Sequence, residues 1–148
     1  MSTTQRGPVM AAEPPLDRGY STHLQMTGAA FTADAGQISL VITPDHLQGN
    51  GIVHGGVYCT LVQHAASMSA QLWFAENGSG TVVGVNNTTD FLRPKSDGVL
   101  TAVSAPVHRS IHQQLWLVVI TDEGNRVVAR GQVRLQNISD EPRIARHS

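Results

Sequence analysis

The sequence predicts an α+β fold in which an antiparallel sheet wraps around one long central helix, and three observations carry that expectation. Residues 54–75 hold no proline and no glycine beyond Gly56, as an unbroken helix requires. Strand-like runs follow it in series, separated by turn-forming clusters. Another such run precedes it and stops at a proline. Strand, helix, then consecutive antiparallel strands is the order of an α+β domain.

Met1 to about Pro15 is rich in Ser, Thr, Ala and Pro without apolar periodicity, so residues 1–15 read as a flexible tail. The ordered domain is expected over 16–138. Gln37 to Thr43 reads as a strand stopped by Pro44, with an earlier strand near Gly28–Ala33 as its partner. In the helix, Val57, Leu61, Ala65, Met68 and Leu72 recur at spacings of three and four. The other faces, with Tyr58, Cys59, Ala66 and Trp73, are not strongly polar, which predicts a helix buried on most sides. Four strands are expected after it, at about 80–93, 99–108, 113–121 and 126–137. The turn over Asp122-Glu123-Gly124-Asn125 closes the last hairpin. Ser139-Asp140-Glu141-Pro142 breaks the strand pattern, so 139–148 reads as a C-terminal tail.

The run 114–121 is apolar at odd and even positions alike, so both faces of that strand should be covered. The helix supplies one cover. A second subunit is expected to supply the other, since the chain has no other long helix. The charged fraction of 14% is well below the usual quarter and points the same way.

A formal net charge of -1, with ten basic and eleven acidic residues spread along the chain, leaves no field to hold nucleic acid or an anionic membrane. Cys59 is the only cysteine, and no apolar run in the first residues is long enough for a signal or membrane segment. A cytoplasmic protein is expected. His108 and His112 straddle a turn and Cys59 has no partner cysteine, so neither a metal nor any other cofactor is expected.

Chemistry is expected at His54-Gly55-Gly56. A helix N-terminus presents unpaired N–H groups and partial positive charge, and a glycine there lets a substrate carbonyl approach the backbone. His54 adds a donor. Such donors contribute about 3 kcal/mol each in comparable oxyanion holes.

The run Gly51-Ile-Val-His-Gly-Gly-Val-Tyr-Cys-Thr-Leu61 resembles the helix start of hotdog-fold thioesterases of the phenylacetate-degradation and 4-hydroxybenzoyl-CoA type. Val83-Gly-Val-Asn-Asn, Asp90-Phe-Leu-Arg-Pro94, Gly98-Val-Leu and Asp122-Glu-Gly-Asn-Arg-Val-Val-Ala129 are similar to that family in order and spacing, so the likeness covers most of 37–137. The resemblance implies an acyl-CoA thioesterase in which Gly55 N–H holds the thioester carbonyl and His54 touches it. It further implies that Gln48 and Ser67 place the substrate or the attacking water. Asn87, Arg93, His108, Arg109 and Ser110 match positions that contact coenzyme A. A homodimer joined sheet edge to sheet edge is implied, often paired into a homotetramer.

One departure stands out. The family has a catalytic Glu or Asp nine residues after the histidine, and this chain has Gln63. A neutral amide neither attacks a carbonyl nor takes a proton from water. Three explanations follow: a glutamate replaced by Gln in this chain, a natural Gln63 with another group as base, or a protein that binds acyl-CoA without turnover. His64 lies about 100° further round the helix and is expected to point away from Gln63, as a buried, hydrogen-bonded histidine at a subunit contact. Arg126, Arg130 and Arg134 read as a solvated strand face. The acyl group is not legible from sequence.

Overall fold

The computed structural model describes residues 19–140. Residues 1–18, with the expected 1–15 tail, and residues 141–148 lie outside the described residues. In chain order come a single helical turn α1 (Tyr20–His23), β1 (Met26–Phe31), β2 (Gly36–Val41), a 3₁₀ turn (Pro44–His46), the long helix α2 (Gly55–Asn77), β3 (Gly80–Phe91), β4 (Val99–Arg109), β5 (Gln113–Thr121) and β6 (Val127–Ser139). The strands form one antiparallel sheet in the order β1-β2-β4-β5-β6-β3. This is the architecture the sequence predicts. Three details differ: β1 starts two residues earlier than 28, α1 was not expected, and β6 runs on to Ser139 opposite Gly80.

Helix α2 begins where the His54 ring nitrogen accepts the Gly56 N–H, which satisfies one of the free donors of the first turn. Its buried stripe pairs neighbours one turn apart: Val57 and Tyr58, Leu61 and Val62, Ala65 and Ala66, Ser69 and Ala70, then Phe74. No residue from Gly55 to Phe74 is fully exposed, because the curled sheet reaches round the helix. Gln71 ties the helix to the start of β3, donating to Gly80 O at 3.1 Å and accepting Val82 N–H at 2.9 Å.

Inward residues of β5, Gln114, Trp116, Val118 and Ile120, are buried, while the outward Leu115, Leu117 and Val119 are half-buried. Trp116, Phe31, Phe74 and Leu61 are the large members of the core, each contributing about 1.5–3 kcal/mol by leaving water. The core also holds a polar chain. Gln114 Nε2 donates to Ala70 O (3.0 Å) and Asn137 Oδ1 (2.9 Å), its Oε1 accepts Trp116 Nε1–H (2.9 Å), and Asn137 Nδ2 donates to Ser110 O (2.8 Å).

β3 is an edge strand with a bulge. Gly84 pairs with Leu135 and Asn86 with Arg134, so Val85 is the extra residue. Val82 and Gly84 face the helix before the bulge, Asn87 and Thr89 after it. Even-numbered residues hand over to odd. Among the described residues no helix is long and apolar enough to cross a membrane.

Candidate active site

Two clefts flank α2 at different heights. The first, about 370 Å³, opens at the helix N-terminus between Gln48, Ile52, Gly55, Tyr58, Phe91, Leu92, Arg93 and Pro94. The second, about 480 Å³, lies along the helix between Tyr20, Ser21, Cys59, Thr60, Gln63, His64, Ser67 and Asn87.

Gly55 is the first helical residue, and its N–H has no acceptor among the described residues. The Phe91 ring closes over it: a Cβ at position 55 would lie 2.6 Å from the ring, so only glycine permits this packing. His54 caps the helix with Nδ1, 2.8 Å from Gly56 N, and its backbone N–H donates to His46 O. With Nδ1 accepting, the neutral ring carries its proton on Nε2, at an exposed position beside the cleft. His46 in turn is buried and held at both nitrogens, by Thr43 N–H and Leu24 O, which fixes the turn that delivers His54. Gln48 is exposed on the cleft lip. Tyr58, stacked at 5.7 Å on Phe91, has a buried hydroxyl with no partner among the described residues, and burial pushes its phenol upward.

In the second cleft the Gln63 amide is bonded at both ends. Its Oε1 accepts Asn87 Nδ2–H at 3.2 Å and its Nε2 donates to Ser67 Oγ at 3.3 Å. Asn87 is itself oriented, donating to Cys59 O (3.0 Å) and accepting Thr89 Oγ1–H (2.7 Å). The donor edge of Asn87 therefore faces position 63, and the Ser67 hydroxyl can donate or accept. A carboxylate would be satisfied there as fully as the amide is.

The structure brings Gly55, Gln48 and Arg93 together at one cleft, with the His54 ring on the neighbouring Gly56 N–H, and Gln63, Ser67 and Asn87 at the other. The positions matched to coenzyme A thus fall in three places: Asn87 in the second cleft, Arg93 in the first, and His108, Arg109 and Ser110 at the β4–β5 end. Arg109 donates to Ala33 O and pairs with Asp34 Oδ1, both at 2.8 Å, with its guanidinium 5.6 Å from the Trp73 ring centre and 5.8 Å from that of Trp116. Ser110 closes the β4–β5 turn on Gln113. His108 stays exposed, beside Trp73 and Arg109. Arg130 and Arg134 are exposed on the outer face of β6, while Arg126 lies in the turn before it and pairs with Asp122.

His64 corrects the helical-wheel expectation. It lines the same cleft as Gln63, half-buried, and has no hydrogen-bond partner among the described residues. A groove wide enough to reach from β3 to α1 admits two adjacent helix positions, and Phe31 props the imidazole from the side at 6.0 Å, edge to face. Burial holds the His64 pKa below its ordinary value. The lining by Tyr20 and Ser21 had no sequence signal, since α1 is one turn long.

The family model described as the thioesterase superfamily matches residues 50–129. A Mycobacterium tuberculosis protein carrying a provisional esterase name is 52% identical over 124 residues, 83% of this chain and 89% of that protein. The solved structure under that name superposes with a TM-score of 0.79 at 48% identity, covering 82% of this chain and 98% of the other. A thioesterase from Haemophilus influenzae superposes with a TM-score of 0.75 at 27% identity, over 83% and 85% of the two chains. A 1,4-dihydroxy-2-naphthoyl-CoA hydrolase from Listeria monocytogenes is 31% identical over 91 residues, 62% of this chain and 72% of that one.

Proposed function

The chain belongs to the thioesterase superfamily and has its hotdog fold, and from that premise we propose that it acts on acyl-coenzyme A thioesters, releasing free acid and coenzyme A. The observation that carries the proposal is the Gly55 N–H, without an acceptor among the described residues, at the N-terminus of a 23-residue helix and opening into an apolar cleft. A thioester carbonyl oxygen seated there accepts that N–H, and the helix end favours the negative charge that grows on the oxygen as water adds. His54 Nε2–H is the second donor. Gln48 steers the substrate at the lip.

Eight residues separate Gly55 from Gln63, about 12 Å along the helix axis. One copy cannot bring both to one carbonyl, so the working unit of the proposal is a homodimer in which the Gly55 of one copy faces the Gln63 cleft of the other. The outer edge of β3, unpaired among the described residues and with Val83 and Val85 exposed, supports edge-to-edge pairing of two sheets. The half-buried Leu115, Leu117 and Val119 offer a second contact for a homotetramer. For the coenzyme, Arg93 at the cleft lip and the exposed His108 are the groups whose side chains have no partner among the described residues. Arg109 and Ser110 would serve through the shape of the strand end. No cofactor is invoked, and the cytoplasm is the proposed compartment. The Listeria hydrolase is named for an aryl-CoA thioester, and the stacked rings of Tyr58 and Phe91 suit a flat acyl group.

An amide at position 63 supplies no base of its own. The both-ended bonding of Gln63 favours a second reading, an acyl-CoA binding protein without turnover. Thiol release from a panel of aromatic and medium-chain acyl-CoAs, measured for this chain and for Gln63→Glu, tests both. Release by either form supports the thioesterase. Tight binding with no release from either supports the binding protein.

A further inference from the structure

We infer that His64 is the general base of hydrolysis in this chain, taking the part that Gln63 lacks the chemistry to play. The inference rests on the thioesterase reading above and adds the residue that activates water.

A base must offer a lone pair to a proton of the attacking water. Gln63 offers none, since its oxygen already accepts from Asn87 and its nitrogen donates to Ser67. Among the described residues the titratable side chains lining the cleft are Tyr20, Cys59 and His64. The Tyr20 hydroxyl accepts the Thr60 O–H at 3.2 Å, and Tyr20 is 62% exposed. Cys59, five positions before His64 and about 140° away round the helix, makes no hydrogen bond to it among the described residues, so the two are not joined as a thiol–imidazole couple. His64 remains, with neither ring nitrogen bonded among the described residues. Its neighbours among the described residues carry no charge: Phe31 from β1, Tyr20 and Ser21 from α1 and Asn87 from β3 border it, with no Asp, Glu, Lys or Arg among the described lining residues. Burial pushes its pKa below the ordinary histidine value, so the free base prevails at neutral pH.

Ser67 completes the arrangement. It follows Gln63 by four residues and His64 by three, so it borders both on the helix surface. Its oxygen accepts from Gln63 and its own proton is left to donate to a water between Ser67 and His64. The imidazole takes one proton from that water as the oxygen adds to the thioester carbon. The carbonyl pair moves to the oxygen, held by the other copy's helix N-terminus. Collapse breaks the C–S bond, and the departing thiolate takes the proton from the imidazolium. Acid and thiol leave, and His64 is again neutral. In this scheme Gln63 positions and His64 reacts.

The test combines His64→Gln with Gln63→Glu, using the full-length protein and the same acyl-CoA panel. Loss of a general base lowers turnover by about 10² to 10⁴. His64→Gln should therefore lower kcat at least ~100-fold with a smaller change in KM. The rise of kcat/KM with pH through the His64 titration, below about pH 6.5, should vanish with it. His64→Ala should be rescued in part by added imidazole, which a purely structural histidine would not allow. In the Gln63→Glu background, His64→Gln should cost less than about tenfold, because the carboxylate takes over. Unchanged rate and pH profile in His64→Gln overturn the inference, as does an active Gln63→Glu form beside an inert parent chain. If neither the parent chain nor its Gln63→Glu form releases thiol, the thioesterase reading falls and the role of His64 with it.

Discussion

Gly84 and Gln63 share one space: a Cβ on Gly84 would collide with the side-chain nitrogen of Gln63. The strand opposite the helix is bare at that point, so the amide lies against backbone and within reach of Asn87 and Ser67. Gly84→Ala should push the Gln63 amide off both partners. The displaced atom ends a flexible side chain, so stability should change by less than about 1 kcal/mol. Thiol release should fall ~10-fold or more both in the parent chain, where residue 63 positions, and in its Gln63→Glu form, where it reacts, since a misplacement of about 1 Å is costly in either role. Urea unfolding and the thiol assay, run side by side, separate the two effects.

At Gly36 the same substitution should have the opposite signature. A Cβ there would stand 2.6 Å from Phe31 Cδ1, 2.7 Å from Ser69 Oγ and 2.8 Å from Ser104 Oγ, all fully buried residues. Gly36→Ala should lose about 1–3 kcal/mol through overpacking. A lowered urea midpoint with an unchanged slope is the expected result.

Gln114 should prove hard to replace by any apolar residue. Gln114→Leu keeps much of the volume and strands Trp116 Nε1–H and Asn137 Oδ1 without their partner. Each orphaned group costs about 1–3 kcal/mol, so the variant should be destabilised by roughly 2–5 kcal/mol. Far-ultraviolet circular dichroism during thermal unfolding measures it.

Asp122 sets a pH dependence. The Arg126 backbone N–H, then that of Gly124, with the Arg126 side chain, hold its carboxyl below the usual carboxylate range. A depressed folded pKa stabilises the fold above the unfolded value of about 3.9, and that contribution is lost as pH falls through the folded value. Asp122→Asn should therefore weaken the protein at pH 7 and flatten its stability profile below about pH 4. Chemical unfolding at the two pH values checks the sign.

Much of the fold was legible because α2 and the strands carry strong local patterns. The absence of breakers over 54–75 and the turn clusters after it located every long element within two or three residues. The helix start at His54-Gly55-Gly56 was legible too, as a place where backbone donors stand free. What escaped depends on contacts between distant segments. The bulge at Val85 shifts the inward set of β3 by one, so alternation alone could not show that Asn87 faces Gln63. His64 was misdirected by a helical wheel that treats each position alone, when the width of the groove is set by α1, forty residues away. Arg109 finds Asp34 across 75 positions, and no local pattern announces such a pair.

That clasp of Arg109 has a spectroscopic consequence. Trp73 and Trp116, the two tryptophans of the chain, both lie under one guanidinium, so intrinsic emission reports on a single corner of the molecule. An adenine settling beside His108 would meet Trp73 directly and quench it, whereas one held at Arg93 would leave the signal unchanged. A fluorescence titration with coenzyme A thus distinguishes the two docking positions without a single substitution.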